Sequence, residues 1–178
     1  MKSRGVDYIF LPQESYIYPS FGVTSIVPSK AGSILEGASR PGHFEGVLTV
    51  VNRLFNLVKP SHAVFGKKDA QQLFLIKDMV NRFDLNIEII EGEIFRDING
   101  LALSSRNKHL SHDAKLNAAN IFKSLQKVAK EINSGKSFEE SVELGVNLIS
   151  QNEIDLDYLA IVDEENFNYP NKYSKKLK

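Results

Sequence analysis

The sequence predicts an α/β fold built on a Rossmann-like parallel sheet, and three observations carry that expectation. Short apolar runs alternate with long stretches whose apolar residues recur every three or four positions, in the order strand, helix, strand, helix, strand. The links between them are short, which favours parallel strands joined by right-handed crossovers. With 178 residues and 42% hydrophobic content, the chain is long enough to bury a core.

In order, Val6 to Leu11 read as a strand ended by Pro12, with almost nothing before it to pair with. Residues 13–22, with Tyr16, Tyr18 and Phe21 around Pro19, read as a loop, and residues 24–27 as a short extended segment closed by Pro28. Residues 30–42 form a second loop rich in small residues. Its Glu36 and Arg40 either line a site or form a solvated surface pair, and composition favours the surface pair. A strong helix follows over residues 43–58, with Val47, Val50, Val51, Leu54, Phe55 and Val58 on its apolar face, stopped by Lys59-Pro60. Residues 62–65 are a strand. Residues 69–83 are a helix with Leu73, Ile76, Val80 and Phe83 inward, and residues 86–90 are another strand.

After Asn107 the character changes. Ser111 caps a helix over residues 112–132 with apolar positions at Leu116, Ala119, Ile121, Leu125, Val128 and Ile132, and Gly135 ends it. Ser137 and Glu140 form a capping box that opens a further helix to about residue 149. Residues 156–162 alternate like a strand, and residues 166–178 trail off with little to bury. A lone strand after two helices needs a hairpin partner, and none is evident in the chain. The expected division is residues 1–110, the C-terminal half of a Rossmann-like domain, and residues 111–178, a smaller, truncated α+β domain.

Composition removes several functions. Twenty-two basic and 22 acidic residues cancel, so charge gives no reason to expect nucleic acid or an anionic membrane as partner. There is no cysteine, which excludes disulfides, thiolate metal sites and cysteine nucleophiles. His43, His62, His109 and His112 lack the close helical pairing of a zinc enzyme. No apolar run approaches the roughly 20 residues that cross a bilayer, and the N-terminus shows no signal-peptide core, so a cytoplasmic protein is expected. The glycine fingerprint of dinucleotide binding and the phosphate loop of P-loop enzymes are both absent from the sequence.

Two polar clusters remain. Phe65-Gly66-Lys67-Lys68-Asp69-Ala70-Gln71-Gln72 spans a strand end, a turn and a helix start. In open α/β sheets ligands bind outside the carboxyl ends of strands, where helix N-termini favour anions. Lys67 and Lys68 add positive charge there, Asp69 can cap the helix, and Gln71 and Gln72 offer donors and acceptors. The second cluster is Ser104-Ser105-Arg106-Asn107, following Gly100-Leu101-Ala102-Leu103. Each has a plainer reading: solvated charges at Lys68 and Arg106, turn or cap serines at 104 and 105, a surface amide at Gln72, a helix-start histidine at His43. Together they point to a phosphate-binding site.

Three segments resemble a known family. Arg40-Pro41-Gly42-His43-Phe44-Glu45-Gly46-Val47 is similar to its Arg-Pro-x-His-Phe-x-Gly-Val segment. Gly66 to Gln72 resemble its Gly-Glu-Lys-Asp-x-Gln-Gln motif, and Gly100 to Asn107 its Gly-Leu-Ala-(Met/Leu)-Ser-Ser-Arg-Asn. The family is pantothenate synthetase, or pantoate–β-alanine ligase, and the likeness runs from about Gly5 to Asp163. It implies a nucleotidylyl-transferase fold and an ATP-dependent, AMP-forming condensation of pantoate with β-alanine, with ATP as co-substrate and Mg2+ as its ion. It also implies a homodimer. Carried over by motif, Gly66, Lys67, Lys68, Asp69, Phe95, Leu103, Ser104, Ser105 and Arg106 hold ATP, and Lys68, Ser104, Ser105 and Arg106 act on its phosphates. Gln72 binds pantoate, while Arg40 and His43 are candidates for the β-alanine or phosphate end. No metal-ligating residue is expected.

The departures carry equal weight. The family's His-x-Gly-His element, its Asn-Pro-x-Gln-Phe segment and its closing Arg-Leu-Ile-Asp-Asn run do not occur in this sequence, and Lys67 stands where the family has Glu. A single phosphate donor is worth roughly 3 kcal/mol at a transition state. The expectation is therefore a C-terminal two-thirds of a synthetase with incomplete activity by itself. The alternatives are a non-catalytic form that binds nucleotide or pairs with an intact synthetase subunit, and a relative that adenylates another carboxylate.

Overall fold

A computed structural model describes residues 2–152, 154–171, 174 and 176–178 of the chain. In chain order the helices and strands are α1 (Glu14–Ile17), α2 (Glu36–Ser39), α3 (His43–Val58), β1 (His62–Gly66), α4 (Ala70–Arg82), β2 (Glu88–Gly92), α5 (His112–Asn133) and α6 (Phe138–Ser150). β1 and β2 pair in parallel, with His62 opposite Glu88 and Gly66 opposite Gly92, so β1-α4-β2 is a parallel crossover unit as the pattern predicted.

The core lies between this unit and α3. Leu75, Ile76 and Met79 of α4 and Leu48 of α3 are fully buried, and Ala63 and Phe65 of β1 and Ile87 and Ile89 around β2 pack against them. Phe55 and Phe65 meet edge to face at 6.2 Å. α3 has its predicted bounds, but its buried stripe is Phe44, Leu48, Thr49 and Phe55, while Val58 is exposed. The spacing gave the right period with the face rotated. One reason is Thr49, whose hydroxyl accepts from the Ile26 amide at 2.9 Å and so draws that side of the helix under the preceding segment. Phe83, expected inward, lies beyond the end of α4 and is half exposed.

Two expected strands differ. Val6 to Leu11 form no ladder among the described residues, and Tyr8 and Leu11 are almost wholly exposed. The described sheet has only β1 and β2, so nothing pairs with that backbone. Residues 156–162 are not a strand either. The partner thought missing is supplied by the chain itself over a very short length: Val162 and Lys178 exchange backbone hydrogen bonds at 2.9 and 2.8 Å, and Asp163 bridges Leu177. Of the predicted polar tail, Lys172, Tyr173 and Lys175 lie outside the described residues. The loop over residues 13–22 contains the short α1, and that over residues 30–42 contains α2.

α5 and α6 pack on each other, and both N-terminal caps are as read from sequence. Ser111 accepts from the Ala114 amide, and Ser137 and Glu140 make a reciprocal capping box. The faces are narrower than predicted: Ala119, Ser124 and Val128 are buried, whereas Leu116, Ile121 and Leu125 are part exposed. Val162 and Phe167 join the α3/α4 core, with Phe167 stacked on Phe74 at 5.2 Å. No helix among the described residues is long and apolar enough to cross a membrane.

Candidate active site

β1 ends at Gly66 and α4 begins at Ala70, so Lys67, Lys68 and Asp69 form the turn at the carboxyl end of the strand. A cavity of about 530 Å³ opens there. Lys68, Asp69, Gln71 and Gln72 form one wall, and Glu36, Arg40 and His43 a second. Ser104 and Arg106 contribute a third, and Tyr158, Ala160, Val162, Phe167 and Lys178 close it from the C-terminal side. Residues from all three sequence motifs thus share one concavity at a strand's carboxyl end, where ligands of open α/β sheets sit.

The cations differ in how they are held. Lys68 Nζ lies 3.0 Å from the Asp69 carboxylate, and Arg40 donates to Glu36 at 3.0 Å, one turn earlier on α2. Both pairs are exposed enough to exchange their partners for a ligand. The Arg106 guanidinium has no ion-pair partner among the described residues. Lys67 turns elsewhere: it pairs with Glu93 and, at 3.9 Å, with Glu91, and the hydrogen bond to Glu93 holds its ammonium pKa above the usual value. It does not line the cavity. Glu93 therefore neutralises Lys67 at the turn.

Asp69 stands at the N-cap of α4, but its carboxylate makes no cap hydrogen bond and faces Lys68 instead. Gly66 does not adopt a left-handed φ; a side chain there would meet nothing within 4 Å, so its contribution is the open space beside the turn. Leu103 and Ser105 border a separate, shallower concavity with Asp97, Leu101, Asn107 and Lys115, and Ser104 faces both. Phe95 has an exposed side chain, and its carbonyl accepts from the Leu103 amide at 2.8 Å. Lys67, Gly66, Phe95, Leu103 and Ser105 are thus outside the main cavity wall, while Lys68, Asp69, Gln72, Ser104, Arg106, Arg40 and His43 are on it.

Two residues have roles that sequence reading did not assign. Gln71, 7% exposed, donates its amide to the carbonyls of Ala31 at 2.6 Å and Ile34 at 2.8 Å, which ties the α2 loop to the first turn of α4. Within that loop a side chain at Gly37 would strike the Gly32 carbonyl, so the close packing there requires glycine. Tyr158 faces Glu36 across the cavity; burial, then the charges of Glu36 and Asp157, push its hydroxyl pKa up. The paired glutamines were a visible signal for Gln71. Tyr158 had none, because only the return of the chain to the core brings it there.

The model of the pantoate-beta-alanine ligase family matches residues 1–178. A pantothenate synthetase of Thermosipho africanus is 41% identical over 99% of this chain, and one of Aliarcobacter butzleri is 46% identical over 90%. The chain spans 64% and 58% of those relatives' lengths. Among solved structures, pantothenate synthetase of Thermus thermophilus superposes with a TM-score of 0.89 at 37% identity, covering 95% of this chain and 62% of its own. A pantoate-beta-alanine ligase of Francisella tularensis, complexed with beta-gamma ATP and beta-alanine, superposes at 0.67 with 38% identity over 83% of this chain and 55% of its own. With a Rossmann-like α/β fold, the motif residues gathered at one cavity and a match along its whole length, the chain belongs to the pantoate–β-alanine ligase family.

Proposed function

We propose that this chain carries nucleotide- and pantoate-binding residues of an ATP-dependent, AMP-forming ligase that condenses pantoate with β-alanine to give pantothenate, in the cytoplasm and for coenzyme A biosynthesis. The observation that carries this reading is the meeting of Lys68, Gln72, Ser104 and Arg106, from two distant motifs, on the cavity at the end of β1. In the reaction, a pantoate carboxylate oxygen attacks the α-phosphorus of ATP and pyrophosphate leaves with the bonding electrons. The β-alanine amine then attacks the acyl carbon, loses a proton, and AMP departs.

The residues suit that chemistry. Negative charge grows on the α-phosphate and pyrophosphate, so Lys68, Arg106 and the Ser104 hydroxyl stabilise it electrostatically, and Ser105 would join them from the adjoining concavity. Asp69 holds the ribose hydroxyls, Gly66 and Lys67 contribute through the turn they form, and Phe95 and Leu103 through their backbone. Gln72 hydrogen-bonds pantoate, and Arg40 and His43 serve the β-alanine or phosphate end. Among the described residues no group of three or more acidic or histidine side chains could cage a metal. Mg2+ accordingly fits as an ion carried on the ATP phosphates. We further propose that residues 1–110 form the ATP- and pantoate-binding unit, residues 111–178 a smaller unit closing over it, and that two copies pair.

The test is AMP release by the purified chain with pantoate, β-alanine, ATP and magnesium, beside Lys68→Ala. AMP that requires pantoate is expected only slowly, because the family's His-x-Gly-His element does not occur in this sequence, and it should fall at least about tenfold in the variant, since a charged hydrogen bond contributes about 1.5–3 kcal/mol. A folded chain that binds ATP without releasing AMP would leave these residues a binding role and remove the ligase from this chain alone.

A further inference from the structure

Ser104 and Arg106 sit on the exit of a hairpin that has no place in the α3/α4 core. Arg96 bridges Ala102 in antiparallel fashion, Asp97 accepts through its carboxylate from the Asn99 and Leu101 amides at 2.9 and 3.0 Å, and Asn107 returns a side-chain bond to Ala102 at 3.0 Å. This hairpin meets α5 at the ring of Phe122. The Arg96 guanidinium lies 3.6 Å from the centroid of Phe122 while its Nη1 donates to the Gly100 carbonyl at 3.1 Å. Gly100, at φ 95°, presses on the same ring: a Cβ there would approach Phe122 Cδ1 to 2.9 Å.

We infer that the Arg96–Phe122 stack is a positioning device for the anion-binding loop, with α5 setting where Ser104 and Arg106 stand at the cavity. Arg96 does not line the cavity, so its positive charge acts on the loop and not on the ligand. A guanidinium suits this task because it presents a flat face to the ring while its edge still donates to a carbonyl. An ammonium cannot do both in one plane. The arrangement joins the second half of the chain to the first at the point where phosphates are read.

The inference rests on the nucleotide reading above, and ATP titration of the full chain by calorimetry separates the two. Phe122→Ala and the milder Arg96→Lys should each weaken ATP binding by about tenfold, with Phe122→Trp restoring it. In an Arg106→Ala background Phe122→Ala should have little further effect, because both act through one contact. Circular dichroism and melting temperature report folding in every variant. Undiminished ATP affinity in both variants, or losses that add fully to that of Arg106→Ala, would overturn the positioning role while leaving the nucleotide site intact. A folded wild-type chain that binds no ATP would overturn the nucleotide reading, and this one with it.

Discussion

The two motif clusters that meet at the cavity are held in opposite ways. Lys68 to Gln72 begin α4, whose Leu73, Leu75 and Ile76 are buried within the core. Ser104 to Arg106 leave a hairpin supported by its own hydrogen bonds and by one aromatic ring. The first cluster cannot shift without disturbing the fold, whereas the second can shift while the fold survives. Stability and ligand affinity should therefore move together for α4 and separately for the hairpin.

That contrast can be broken or sharpened by a graded set of substitutions. The largest effect belongs to the core: Leu75→Ala, at a fully buried site, should cost about 3 kcal/mol in urea denaturation. A loss below about 1 kcal/mol would mean that the core does not anchor α4. Gly100→Ala forces a side chain into a left-handed φ against Phe122, and should cost about 1–3 kcal/mol locally. Here ATP affinity should fall more than the melting temperature does, and the reverse order would place the hairpin with the core.

Gln71→Ala strands the Ala31 and Ile34 carbonyls and should cost about 1–2 kcal/mol of stability. Smaller still, Ser137→Ala removes the α6 cap for about 1 kcal/mol and should leave ATP binding unchanged, since Ser137 does not line the cavity. The smallest effect is acid titration at the end of α5. Hydrogen bonds from Lys136, then Lys127, hold the Glu131 carboxyl at about 2 against its usual 4.5. A depressed carboxyl contributes stability that is whole above 4.5 and lost as pH falls through about 2. Glu131→Gln should flatten the acid limb of the stability curve in that window and nowhere else. An unchanged slope would remove the ion pairs from the account.

What the sequence made legible follows the same divide. Residues 43–58 and the unit β1-α4-β2 are continuous segments with their own period and stops, so their existence, order and parallel sense were readable. The motifs there and at residues 100–107 fixed the family and most of the cavity wall. Long-range contacts were not readable. Val6 to Leu11 have a strand's composition, but pairing is decided by a neighbour and no described strand adjoins them. The tail at residues 176–178 meets residues 162–164 only because the fold returns it there. Lys67 and Lys68 are adjacent and chemically identical. Glu91 and Glu93 on the neighbouring strand end, invisible as partners in one dimension, separate them.

That separation offers the most direct test of the claim that distant motifs form one nucleotide site. ATP binding should be measured by calorimetry, with magnesium, for the wild-type chain and for Lys68→Ala, Arg106→Ala and Lys67→Ala. Lys68→Ala and Arg106→Ala should each weaken binding by roughly ten- to a hundredfold, and Lys67→Ala by no more than about twofold. Losses confined to Lys67→Ala, or equal across all three variants, would contradict the site described.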